Sequence, residues 1–151
     1  MKYLIFLVAI FTLGLHSCSP KFPYSGDVNF LYKDAQGTIG LKSTGFGRNH
    51  FDAVMDAEKN AFKVLLFRGV PGTELNIPLI ENESEVTSRY KKYFDDLFVN
   101  GKYKTFLMSS TESSNLMKVK GTKKINVDVK INYNSLRKDL EQNQVIRRFG
   151  Y

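Results

Sequence analysis

Lys123-Lys124-Ile125-Asn126-Val127-Asp128-Val129-Lys130-Ile131-Asn132-Tyr133 alternates apolar and polar residues without a break. In an extended chain Ile125, Val127, Val129, Ile131 and Tyr133 point one way, and Lys124, Asn126, Asp128, Lys130 and Asn132 the other. A strand with one apolar and one wet side belongs to an antiparallel or mixed sheet covered on a single face. Strands buried on both faces read instead as continuous apolar runs. The rest of the chain must therefore supply helices for one side of this strand.

Working outward, Asp27 to Lys33 places Val28, Phe30 and Tyr32 on one face, Asp34-Ala35-Gln36-Gly37 is turn-like, and Thr38 to Phe46 alternates through Ile39 and Leu41. This predicts an N-terminal hairpin. Asn49 is a helix N-cap, with Asp52, Asp56 and Glu58 in the early turns, where the helix dipole favours acids. Phe51, Val54, Met55, Phe62, Leu65 and Leu66 form one apolar stripe of that helix. Ala53, Ala57 and Ala61 form a second, suited to close packing on a sheet. The helix stops at Gly69, and Val70-Pro71-Gly72-Thr73 is a turn.

Residues Glu74 to Glu83 commit to neither helix nor strand. Asn82-Glu83-Ser84-Glu85 opens a second helix with Val86, Tyr90, Tyr93, Phe94, Leu97 and Phe98 inward and Gly101 at its end. Lys102 to Ser110 reads as a strand, Thr111 to Asn115 as a polar loop. After the alternating strand, Asn134 or Ser135 caps a last helix with Leu136, Leu140 and Ile146 inward. The order β-β-α-α-β-β-α predicts an α+β two-layer sandwich, with an antiparallel or mixed sheet of about four strands and helices on one face.

The start of the chain carries a different signal. Lys2 precedes an apolar run from Leu4 to Leu15 of about a dozen residues, within the range of a signal-peptide core and short of the roughly 20 that span a bilayer. Leu15-His16-Ser17-Cys18 then resembles the bacterial lipobox. That resemblance implies a diacylglycerol on the Cys18 thiol and cleavage before it. Cys18 is the only cysteine, and an unpaired thiol in an exported chain calls for such an explanation. The expected organisation is a signal peptide over 1–17, a lipidated tether over 18–26 and a single α+β domain over 27–151.

Gly45-Phe46-Gly47, followed by Ala53, Ala57 and Ala61 within Asp56-Ala57-Glu58-Lys59-Asn60-Ala61, resembles a family of small bacterial outer-membrane lipoprotein domains. Its relatives include the N-terminal domain of the flagellar H-ring protein. The likeness covers residues 38–68, and the whole chain also resembles lipoproteins of Bacteroidetes. It implies a helix packed on a small sheet and an assembly or scaffold role without catalysis.

The net charge is +7, from 22 Lys and Arg against 15 Asp and Glu. A basic balance suits nucleic acid, but an exported lipoprotein meets anionic lipid, glycan, peptidoglycan or acidic protein faces instead. Lys118, Lys120, Lys123, Lys124 and Lys130 are the candidate ligand-binding residues, and Arg147-Arg148 are further cations. Chemistry has little to work with. Beyond the signal segment His50 is the one histidine and no thiol but that of Cys18 exists, which leaves no ordinary zinc site. A triad would need His50 as base, without a Gly-x-Ser-x-Gly elbow. Gly45-Phe46-Gly47 lacks the third glycine of a dinucleotide loop and reads as a strand-to-helix turn that uses glycine torsions. Neither Asp95-Asp96 nor Glu81, Glu83 and Glu85 form a shared acid site or calcium loop. The expectation is a non-enzymatic envelope lipoprotein of the outer membrane, without cofactor or metal, that binds another envelope protein; the alternative is a lipid, glycan or peptidoglycan binder using the basic C-terminal half.

Cys18→Ala tests the anchor. Labelled fatty acid should no longer enter the protein, and the protein should leave the lipidated membrane fraction. Unchanged labelling and fractionation would refute lipidation at Cys18.

Overall fold

The alternating segment becomes β5 (Thr122–Asn132), the central strand of the sheet. The structure, a computed structural model, describes residues 27–148; the signal segment and Cys18 lie outside them. Ile125, Val127, Val129 and Ile131 are fully buried. β5 pairs antiparallel with β2 (Thr38–Gly47) on one side. On the other it pairs with β3 (Leu107–Glu112) and with β4 (Met117–Val119), a short strand further along the same edge. β1 (Val28–Lys33) completes the order β1-β2-β5-β3. The molecule is an α+β two-layer sandwich with a wholly antiparallel sheet of five strands, the short β4 being the one not foreseen.

The helical layer comprises α1 (His50–Phe67), α2 (Glu83–Arg89), α3 (Lys91–Phe98) and α4 (Tyr133–Gln142). α1 lies across β2 and β5. Asn49 caps it as its residue type predicts: its side chain accepts from Asp52 N at 2.9 Å and donates to the Asp52 carboxylate at 3.0 Å. Its last residue is Phe67, and Gly69 turns away with φ +71.

Ala53, Ala57 and Ala61 are fully buried, and what they meet is glycine. A Cβ on Gly45 would fall 2.1 Å from Ala53 O and 2.3 Å from Ala57 N; one on Gly47 would fall 2.3 Å from Ala53 N. These distances correct the reading of Gly45-Phe46-Gly47 as a turn. Both glycines lie in β2 without positive φ, and they are needed because any side chain would collide with helix backbone.

The same contact brings helix side chains to the edge of β2. β1 follows β2 only as far as Thr44, whose N–H donates to Asp27 O at 3.0 Å. Beyond that point helix side chains reach two backbone groups of the edge. Asn60 Nδ2 donates to Thr44 O at 3.1 Å, and Asp56 Oδ2 accepts from Phe46 N at 2.9 Å. Two side chains one helical turn apart thus tie the helix to the strand backbone, through hydrogen bonds worth about 0.5–1.5 kcal/mol each.

Other expectations need correction. Phe30 pairs with Leu41 but Tyr32 with Gly40, across a bulge that carries Tyr32 to the wet face. Phe51 sits at the start of the apolar stripe but is 62% exposed, because the stripe there overhangs the sheet. The second helix breaks at Tyr90 (φ −109, ψ 37) into α2, with no buried residue, and α3, which buries Tyr93, Phe94 and Leu97. Lys102–Thr105 is a 3₁₀ turn rather than strand. It drops Tyr103 onto Phe62 with ring centroids 5.4 Å apart; the strand begins at Leu107 and runs through Thr111 and Glu112, which were read as loop. The last helix is capped by Asn132, whose side chain accepts from Ser135 N at 3.0 Å.

Gly45→Ala should cost about 1–3 kcal/mol or more, the range of overpacked sites, because backbone cannot step aside. A Cβ on Gly40 meets only the ring of half-exposed Tyr32, so Gly40→Ala should cost clearly less. Urea denaturation of both variants checks the order, and equal losses would contradict the glycine–alanine contact.

Candidate interaction surface

Since the helices cover one side of β5, the polar side chains of its alternation define the other. They stand in cross-strand rows. Tyr32, Gly40, Lys130 and Ser109 form one row. Lys42, Asp128 and Thr111 form the next, with Lys42 Nζ 4.0 Å from Asp128 Oδ1. Thr44 and Asn126 follow, joined at 2.8 Å. The last row is Phe46, Lys124 and Met117, with the Lys124 ammonium 5.9 Å from the Phe46 ring centre. Apolar groups therefore sit at the two ends of this face. Tyr32 is joined at its end by Met108, whose sulfur lies 3.6 Å from Thr38 Oγ1; Phe46 and Met117 mark the other end. Between them lies a polar centre.

The candidate lysines divide. Lys118 and Lys123 are cross-strand partners and share the helix side. Lys120 occupies the hairpin turn with φ +47. Lys124 is on the wet face. Lys130 shares that face six residues along β5, about 20 Å away at strand rise. The four clefts described next draw no lining residue from this set. The largest, about 880 Å³ and open, lies between the β1–β2 turn and Gly72–Leu75, and Lys33 Nζ reaches Glu74 Oε2 there at 3.0 Å. Another follows Glu81, Glu83 and Glu85, where Glu85 is already paired with Arg89. Arg147 and Arg148 are exposed beside two clefts near α2 and α4, toward the end of β5 remote from the lysine hairpin. Asp95 pairs with Lys91, and Asp96 accepts from Asn100, so the adjacent acids serve separate partners.

His50 does gain a carboxylate, though none on its own helix. Glu112 at the end of β3 places Oε1 2.7 Å from His50 Nε2. Both side chains are about half exposed, and no nucleophile is seen to join them among the described contacts.

The stronger polar networks escaped sequence reading. Glu58, an early-turn acid by its place in the helix, is buried and accepts from Tyr103 OH at 2.9 Å. The signal was present: Glu58 stands at i+4 from Val54 and i−4 from Phe62, inside the apolar stripe. Asp139 of α4 accepts from Tyr93 OH at 2.8 Å and from Lys102 Nζ at 2.8 Å. Nothing in the spacing of residues 93, 102 and 139 announces that meeting. Burial, then the neighbouring carboxylate, raises both phenols well above their ordinary value. These contacts join α3, the 3₁₀ turn, α1 and α4, and their geometry is that of braces.

Compared with protein families, curated proteins and solved structures, the chain finds no match in any of the three.

Tyr103→Phe should lower stability at neutral pH by about 1–3 kcal/mol, because buried Glu58 loses a donor. Held neutral in the fold, the two phenols contribute fully below the unfolded value near pH 10 and lose that contribution as pH rises above it. Tyr103→Phe should flatten part of that alkaline loss. His50→Ala should stay within about 0.5 kcal/mol, as for exposed pairs. Denaturant melts at pH 7 and pH 11 read all three, and a His50→Ala loss as large as that of Tyr103→Phe would contradict this ranking.

Proposed function

We propose that the protein is a lipid-anchored, periplasm-facing lipoprotein of the bacterial outer membrane, serving as a non-enzymatic assembly or accessory subunit of an envelope complex such as a secretion machine. The observation that carries this reading is the sheet face that no helix among the described residues covers. It presents Tyr32 and Met108 at one end, Phe46 and Met117 at the other, and a polar centre in which Thr44 and Asn126 are hydrogen-bonded. Aromatic and methionine side chains are the types enriched in protein interfaces, and here they stand on paired strands that need no rearrangement to bind. The lipobox ending at Cys18 supports the location. The resemblance of Asp56-Ala57-Glu58-Lys59-Asn60-Ala61 to the outer-membrane domain family supports the role, because Asp56, Ala57, Glu58, Asn60 and Ala61 have packing or bracing tasks in this fold.

The competing idea of a ligand pocket walled by Lys118, Lys120, Lys123, Lys124 and Lys130 is weakened by their division between two faces and a turn. Catalysis through His50 is weakened by the exposure of its pair with Glu112.

A photo-crosslinking residue at position 46 or 32 in cells should capture a discrete envelope protein, identified by mass spectrometry. One at Lys138, on the helical layer, should not. Capture should also be lost when Lys42 and Thr111 in the polar centre are changed to Ala and Glu, respectively. Crosslinking from position 138 alone would move the interface to the helices and end this reading.

A further inference from the structure

The β4–β5 hairpin combines three features that reach beyond the part its Met117 plays in the sheet face. The first is charge. From Ser113 to Val127 the chain has four lysines, Lys118, Lys120, Lys123 and Lys124, and no acid. None of the salt bridges among the described residues engages any of them. Lys118 and Lys123 stand directly opposite each other, an arrangement that destabilises a strand pair unless an anion lies between or beneath the charges.

The second is form. Lys120 and Gly121 have φ +47 and +84, the paired left-handed residues of a tight two-residue hairpin turn. Thr122 Oγ1 donates to Val119 O at 2.8 Å across it. The lysines are therefore held on a preformed tip. Leu116 and Met117 beside them are 37% and 45% exposed. Basic groups next to exposed apolar groups suit the boundary between lipid headgroups and acyl chains.

The third is position. β1 and β5 both run antiparallel to β2, so the chain enters the domain at the same end of the sheet as the hairpin. Asp27 pairs at Thr44, and Lys123 at Gly47. The separation is about 10 Å along the strands and two strand spacings, again about 10 Å, across them. Cys18 precedes Asp27 by nine residues, which reach at most about 30 Å. A lipid on Cys18 therefore holds this end of the sheet within about 30 Å of the bilayer, and the Gly37 end lies about 20 Å further along β2.

We infer that the β4–β5 hairpin docks on the anionic lipid surface to which Cys18 tethers the chain, setting the orientation of the domain. The inference rests on the lipid-anchor reading above. Docking engages the Lys124–Met117 end of the wet sheet face and leaves the rest of that face, from Asn126 to Lys130, open to a protein partner. Each lysine brought near an anionic surface adds about fivefold to partitioning, and salt removes the gain.

The test uses the full-length lipidated protein in vesicles of phosphatidylcholine, with or without 30% phosphatidylglycerol (about that fraction, to approach the charge of a bacterial leaflet). Amine-reactive labelling followed by mass spectrometry reads each lysine. Lys118, Lys120, Lys123 and Lys124 should label several-fold more slowly in anionic vesicles than in neutral ones, and high salt should restore them. Lys92 and Lys138, on the helical layer, should not change. In Lys118→Glu/Lys123→Glu the protection remaining at Lys120 and Lys124 should fall, while in Lys92→Glu/Lys138→Glu it should persist. Equal labelling of the hairpin in both vesicles overturns the inference, as does protection by isolated peptidoglycan but not by anionic lipid. If the protein carries no lipid and stays off neutral vesicles, the anchor reading fails. The same labelling with anionic vesicles then still decides the hairpin: protection supports it, and none overturns it.

Discussion

Everything in this fold depends on how near α1 comes to β2. Gly45 and Gly47 provide no side chain, Ala53 and Ala57 provide the smallest, and helix backbone rests almost on strand backbone. At ordinary helix–sheet separation Asp56 and Asn60 would not reach the backbone of Thr44 and Phe46 at the edge of β2. Small residues and polar residues alternate along one helix face for complementary reasons. The first set permits approach; the second set uses it. The larger residues Phe62, Leu65 and Leu66 then fill the wider space further along, against the strand interior and Tyr103.

Much of this layout was legible. The period-two pattern of residues 123–133 requires a one-sided sheet, because no other arrangement buries Ile125, Val127, Val129 and Ile131 while wetting their neighbours. The alanine spacing and the Asn49 cap locate α1, because both signals are local. What stayed hidden is non-local. The bulge that turns Tyr32 outward depends on how β1 meets β2. The 3₁₀ turn at Lys102–Thr105 forms because Tyr103 finds Phe62 and Glu58, some 40 residues earlier. The apolar positions Tyr103 and Leu107 mimic a strand when those partners are unseen. The break at Tyr90 is hidden in the same way: one stripe from Val86 to Phe98 looks continuous, yet only its second half is buried.

The candidate site was legible in composition and not in arrangement. The lysines of 118–130 are plain in the sequence. Their division follows from strand parity together with a turn at Lys120–Gly121, and the turn was not foreseen because β4 is too short to show a pattern. The carboxylate beside His50 comes from Glu112, 62 residues away, and only the sheet's register brings it there.

Asp56 and Asn60 also have a consequence for how copies of this protein tolerate one another. A bare strand edge is a template: its free N–H and C=O groups accept a strand from any neighbour, and the addition can repeat without limit. Along Thr44 to Phe46 two backbone groups of that template are taken up by helix side chains, which offer nothing onward. The bulge in β1 distorts the outer edge that remains on the same side. A margin blunted in this way is a poorer template for copies of the chain to add to one another, however closely they are crowded.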